Sequence, residues 1–351
     1  MTPPAARHER VAAILTPTID LLLVGGLSLI VFVPLLLSGR KDLVIIGASA
    51  QAMLAGMINM PHFMASYRLV YRDRESILRH KWASIYVPAI LLAYMGLAIV
   101  ESWRSPNSHV LVIVLVTVSS TYLAWHYTGQ VWGMMASFAY LEGVSFSRSE
   151  RLLIRTGLRI LLVWHLSWFL YTQLRDPTRV EALYRIVSAG TVVAFALGAA
   201  GLIQLWRRTG KRPPLRAIVA WLAIFAWYAM MARDPKALFW IQIAHALQYL
   251  AFPIRVEMNR TTQARRPALK YMLLYAAGLL GASVLAALII PKATMGAIGR
   301  IFGEEPGKAA PILILMFINI HHYFTDGVIW KISNPEVRKE LFAHVPRPSP
   351  R

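Results

Sequence analysis

The 351-residue chain contains no cysteine. That excludes disulfides, thiolate metal sites, iron–sulfur clusters and covalently attached c-type haem. Charge is also scarce. Only 15% of residues are Asp, Glu, Lys or Arg, where a soluble domain carries about a quarter. Short alternating segments of the kind that build membrane barrels are missing, as are internal repeats and low-complexity tracts. No GxxxxGK[ST] phosphate loop, HExxH pair or serine elbow is present. Gly296–Gly303 (GAIGRIFG) lacks the lysine and the preceding strand that a phosphate loop needs.

Hydrophobic residues make up 57% of the chain, and they fall in blocks of about 20, the length of helix that crosses a hydrocarbon core. A bilayer cannot satisfy exposed backbone groups, so such blocks must be helical. The fold class this implies is an all-α integral membrane protein, a bundle of about ten transmembrane helices. The expected spans are Ile19–Leu37, Leu43–Ser66, Trp82–Val100, Val110–Phe138, Leu158–Leu174, Ala182–Trp206, Ala217–Ala232, Ala237–Val256, Tyr271–Ile290 and Pro311–Ile332. No small-residue cleavage site follows the first, so it reads as a retained helix rather than a signal peptide. The organisation is a short amino-terminal segment (1–18), one membrane domain (19–332) and a tail (333–351).

The net charge of +20 would suggest nucleic acid in a soluble protein. Here the basic residues sit in short loops, where they set orientation and meet anionic lipid. With both termini in the cytoplasm, the inner segments hold 26 of the 37 Lys and Arg and the outer ones 11. Each inner loop is more basic than its outer neighbours, as the positive-inside rule requires. The expected location is the inner membrane, crossed many times.

Polar residues within such spans are costly and tend to be functional. Six histidines lie there: His62, His126, His165, His245, His321 and His322. Under the alternating topology all six share a slab from mid-membrane to the inner face. Four have polar companions three or four residues away, on one helix face: Asn59 before His62, Gln130 after His126, Gln248 after His245, and Asn319 and Asp326 on either side of His322. A metal-bound imidazole usually donates its second ring N–H to an outer oxygen, which these amides and the carboxylate could supply. His62, His126, His245, His322 and His321 are therefore the candidate metal ligands. Asp326, Gln130, Gln248, Asn59 and Asn319 are their candidate supports. His165 lies on a Trp-rich stretch (VWHLSWF) with no amide one turn away, and a hydrogen bond to a neighbouring helix accounts for it. Within the adjacent pair, His322 shares its face with Asn319 and Asp326, which makes it the inner ligand. His321 points about 100° away and is expected to bond a second helix or to serve as an alternative ligand.

The segments NMPHF (Asn59–Phe63), WHYTGQ (Trp125–Gln130), HALQY (His245–Tyr249) and HHYFTDGVIWK (His321–Lys331) carry a resemblance to the bacterial membrane β-carotene 15,15′-dioxygenase family. The shared features are an early Pro–His and a later aromatic–His–aromatic–x–Gly. Phe63-Met64-Ala65 and Gln130 depart from the family pattern, which has a glycine and an aspartate–histidine, and then an acidic residue. The resemblance implies a polytopic protein in which histidines from several helices hold iron and a long polyene is cleaved by oxygen.

Neutral imidazoles independently favour Fe, Cu or Zn over Mg or Ca. A thiolate-free site with an open position suits Fe(II) and molecular oxygen. The leading expectation is a metalloenzyme acting on a lipid-like or polyene substrate reached through the membrane. Two alternatives stand beside it. One is a b-type haem electron carrier, for which His126, His245 and His322 qualify by depth. The other is a transporter using the histidines and Asp326 as a proton relay.

Overall fold

A computed structural model describes residues 13–39, 47–173, 176–331 and 334–345. Among them there is no strand, and nine helices are long and apolar enough to cross a membrane. In chain order these are α1 (Pro17–Leu37), α4 (Trp82–Arg104), α5 (Val110–Leu141), α6 (Arg148–Gln173), α7 (Thr178–Thr209), α8 (Leu215–Arg233), α9 (Ala237–Gln263), α10 (Ala268–Phe302) and α11 (Glu304–Ile329). Helix α2 (48–70) runs unbroken through Ala48–Leu54, Ala55–Asn59 and Met60–Val70. It corresponds to the second expected span but stands outside the nine, its apolar run being interrupted by Gln51, Asn59, Pro61 and His62. The expected beginning of that span (43–46), the ends at Leu174 and Ile332 and both chain termini lie outside the described residues. Two short helices, α3 (Arg74–Arg79) and α12 (Pro335–Leu341), connect or follow the spans. The Asp73 side chain caps α3 by accepting from the Ser76 N–H at 2.7 Å. That bond, with Arg72 beside it, holds the Asp73 carboxyl below the usual carboxylate range.

Helix ends extend beyond the expected spans. Helices α5 and α7 each have 32 residues, about 48 Å at 1.5 Å per residue, against a core of about 30 Å. The hydrophobic pattern marks only the lipid-immersed part. The polar ends continue as helix because they pack on neighbours or carry ion pairs, as Arg208 does with Glu150 at 2.7 Å.

Helices α1, α5, α6, α8 and α9 share the largest apolar core, centred on Tyr127, Trp164, Trp221 and Trp227. A second core joins α2, α9, α10 and α11, and a third joins α4, α5 and α11. Helices α6 and α7 pack so closely that a Cβ added at Gly157 would stand 2.5 Å from the Ala194 carbonyl oxygen, a close small-residue approach that substitutes for hydrophobic driving force in lipid. In α1 a π-type turn, Leu22–Gly26, contains Gly25 at φ +149°. This turn presents the Val24 carbonyl to Gln248 on α9.

A cluster of buried charges lies near one end of the bundle. Asp20 accepts from the backbone N–H groups of Ile14 and Leu15 at 2.7 and 2.8 Å. Arg216 donates to it at 3.2 Å and to Glu142 at 2.8 Å. This cluster fastens α1, α8 and the end of α5 together with charges that have good partners, the condition under which a buried charge is tolerated.

Candidate metal centre

Four helices from different parts of the chain bring one histidine each to a common point: His62 from α2, His126 from α5, His245 from α9 and His322 from α11. All four are buried, and one ligand atom from each lies within 4.8 Å of the others. The rings meet almost at right angles. His62 and His322 have centroids 4.7 Å apart at 88°, His126 and His245 4.7 Å apart at 74°, and His126 and His322 4.8 Å apart at 79°. This arrangement turns ring edges, where the nitrogens are, toward one centre. The group can hold a metal ion.

Local sequence explains how each ring is aimed. In α2 a π-type turn, Ala55–Asn59, precedes Pro61. Proline has no N–H to give to the preceding turn, and the widened turn absorbs that missing bond. The His62 Nδ1–H donates to the backbone carbonyl of Asn59. That carbonyl can only accept, so the His62 Nε2 carries a lone pair, and no protein group pairs with it. On α11 the His322 Nδ1 meets the Ser66 Oγ at 2.8 Å. Ser66 donates its only hydroxyl proton to the Phe63 carbonyl at 2.7 Å, so His322 is the donor and its Nε2 is also a bare acceptor. The His126 Nδ1 lies 3.6 Å from the Asp326 Oδ2, a close contact beyond hydrogen-bond length.

The ring nitrogens converge: His126 Nε2 is 2.9 Å from His245 Nε2 and 3.3 Å from His322 Nε2. The surroundings leave the tautomers of His126 and His245 open, the His245 Nδ1 having no partner. Whichever they take, the His62 Nε2 lone pair has no donor, and the His322 lone pair depends on His126 for one. A cation serves all of them.

The expected supports divide into those that reach an imidazole and those that do not. Asp326 approaches one without bonding it, 3.6 Å from the His126 Nδ1. It is largely buried beside Tyr249 and Trp330, and Tyr249 accepts from the Trp330 indole at 2.9 Å. Asn59 acts through its backbone carbonyl, not its side-chain amide. Gln130 and Gln248 bond to each other at 3.1 Å. Gln130 also donates to the His245 backbone carbonyl at 3.2 Å, and Gln248 to the Val24 carbonyl. They lock α5, α9 and α1 in register and touch no ring nitrogen. Asn319 is half-buried one turn before His322, and none of the described hydrogen bonds joins it to the cluster.

His321, included among the candidate ligands, stands outside the group. The 100° step from His322 turns it to another face. There its Nε2 bonds the Tyr71 hydroxyl at 3.0 Å and the Ala83 carbonyl at 3.1 Å, and its ring stacks on Tyr67. His165 is likewise apart, buried, with its Nδ1 3.0 Å from the Tyr228 hydroxyl. Sequence reasoning missed Ser66. It lies four residues after His62, on the same face of α2, so the spacing that singled out Asn59 applies to it equally. A serine is common in such helices, where it usually bonds its own backbone. Ser66 does that as well, so spacing alone gave it no distinction.

No family model matches the chain, and no curated protein or solved structure matches it.

Proposed function

We propose that the protein is a membrane-embedded metalloenzyme in which His62, His126, His245 and His322 hold Fe(II) through Nε2, acting with oxygen on a lipid-like substrate. One observation carries the metal reading. Two buried imidazoles, His62 and His322, give their Nδ1 protons to oxygens of Asn59 and Ser66, which turns two Nε2 lone pairs into a group of four converging rings. Lone pairs confronted in a dry interior repel, and a buried acceptor without a donor is costly. The outer oxygens match the arrangement that fixes tautomers around metal-bound histidines.

The choice of ion follows from the ligand set. Neutral nitrogens without thiolate suit Fe, Cu or Zn. Four imidazoles would leave places for further ligands on iron, whereas they would close a four-coordinate structural zinc. Bound iron would supply an electrophilic, oxygen-reactive centre. The chain contributes a dry site, four fixed imidazoles and the Asp326 carboxylate beside His126. A b-type haem is disfavoured by the same contacts, because a macrocycle needs a slot between two axial imidazoles and these rings touch edge to edge.

The test is elemental analysis and an absorbance spectrum of protein purified in detergent. About one iron per chain is expected, without an intense haem band, and replacement of His62, His126 or His322 by Ala should remove it. Protein that is folded and free of any transition metal, after growth with iron, copper and zinc supplied, would refute the reading. Oxygen consumption stimulated by a total lipid extract, and lost in His322→Ala, would extend it to an oxygenase.

A further inference from the structure

A cavity of about 530 Å³ opens beside the four-histidine group between α5, α9 and α11. His126 and Asp326 form part of its wall, so it is continuous with the site. Its length follows α5 from Tyr122 to Ser137, 15 residues or about 22 Å at 1.5 Å per residue. Its floor is made by absence of side chains. Gly129 and Gly133 on α5 and Gly327 on α11 all line it, and a Cβ added at any of them would meet no atom within 4 Å. The remaining wall is largely aromatic, with Trp125, Phe252 and Phe324 among its residues.

The groove is long enough for an extended alkyl chain of well over ten carbons. The ends differ in charge. Where α5 and α11 end and α6 begins, Arg155 and Lys331 line the cavity. Both are exposed, and among the described residues neither is in an ion pair. No basic residue lines the Tyr122 end, deeper along α5.

We infer that this cavity binds a single-chain anionic lipid, a long-chain fatty acid, with its carboxylate between Arg155 and Lys331 and its chain along the glycine floor past His126. The inference rests on the metalloenzyme reading only for what happens beside His126. Binding itself needs no metal. A chain lying in this groove passes the His126–Asp326 edge of the site, so a carbon part-way along it, not the head, is the one presented. An uncharged polyene would gain nothing from the two cations.

The test uses spin-labelled stearate in nanodiscs of zwitterionic phosphatidylcholine, with metal content measured on the same samples. The wild type should give an immobilised component that unlabelled palmitate displaces and hexadecanol displaces much less well. The Gly133→Leu chain places a side chain in open space and strengthens the helix. It should fold, keep its metal and lose the immobilised component. The double variant Arg155→Gln/Lys331→Gln should weaken stearate about 5- to 30-fold, two interfacial cations being lost, with hexadecanol unchanged. Equal displacement by hexadecanol or β-carotene, or undiminished binding in Gly133→Leu, would overturn the inference. So would displacement by phosphatidylglycerol as effective as by palmitate. Stearate binding that follows this pattern in metal-free protein would support the cavity assignment while removing the metal reading, so the two fail separately.

Discussion

Ser66→Ala removes one oxygen that touches no ion and should nonetheless loosen the metal. In the wild type the His322 Nδ1–H has a single acceptor, the Ser66 Oγ at 2.8 Å, and Ser66 is itself committed to the Phe63 carbonyl at 2.7 Å. Without the hydroxyl, His322 has two choices. It can keep the proton on Nδ1 with no partner in a fully buried position, at a cost of about 1–3 kcal/mol. Or it can move the proton to Nε2, which then points N–H at the metal position. Either way the metal-bound state loses more than the free state, because only the first tautomer ligates. The expected loss is roughly 10–100-fold in affinity, as for other outer-shell partners, or about 1.4–2.7 kcal/mol. The assay is competition with a graded set of chelators, followed by the metal retained per chain. Ser66→Thr keeps the hydroxyl and should hold affinity within a few-fold. A Ser66→Ala protein with unchanged affinity would show that His322 ligation does not depend on its tautomer, and the argument from converging lone pairs would fall with it.

Three further outcomes follow from the same geometry. His245→Ala should lose the metal, whereas His165→Ala, which severs only a bond to Tyr228, should keep it. His321→Ala should also retain metal, but it releases Tyr71 and the Ala83 carbonyl and should lower stability by about 1–3 kcal/mol, read as a drop in the thermal midpoint in detergent. Asp20→Asn takes the buried carboxylate charge away from beside the buried Arg216 and should cost about 3–5 kcal/mol. A midpoint unchanged from the wild type would mean the Asp20 contact carries no energy.

Much of the architecture is written in coarse properties of the chain. Apolar blocks near the thickness of a bilayer can only be helices, and their number is countable. What the blocks conceal is how far each helix continues in polar sequence, since Arg148–Gln173 and Thr178–Thr209 extend past their lipid-facing parts through contacts made by other helices. The four site histidines were visible because polarity is expensive in lipid and because they share a depth. Distinguishing His322 from His321 needed only helix geometry. The supports were harder. Gln130 and Gln248 have the spacing of outer-shell groups, but an amide three or four residues from a histidine on one helix is as able to reach across to a neighbouring helix. In this fold the two reach each other. Asn59 was found for its side chain and acts through its carbonyl, a group every residue has and sequence cannot single out.

The four-helix origin of the site bears on how it functions. His62 is aimed by a bond within its own helix and His322 by a serine on α2, while an aspartate on α11 lies 3.6 Å from His126. The contacts therefore run from α2 to α11 and from α11 to α5, and the amide pair carries them from α5 to α9 and on to α1. Each contact that orients a ring also fixes the spacing of two helices. A site assembled this way cannot be completed until α11, near the end of the chain, has packed against α2 and α5. Among the described residues it is open where Gly129 and Gly133 on α5 and Gly327 on α11 keep side chains out of the space beside His126. Contacts that fix the helices on one side of the rings, with vacant room on another, suit the function proposed above, in which the centre would hold an ion and admit a chain-like molecule.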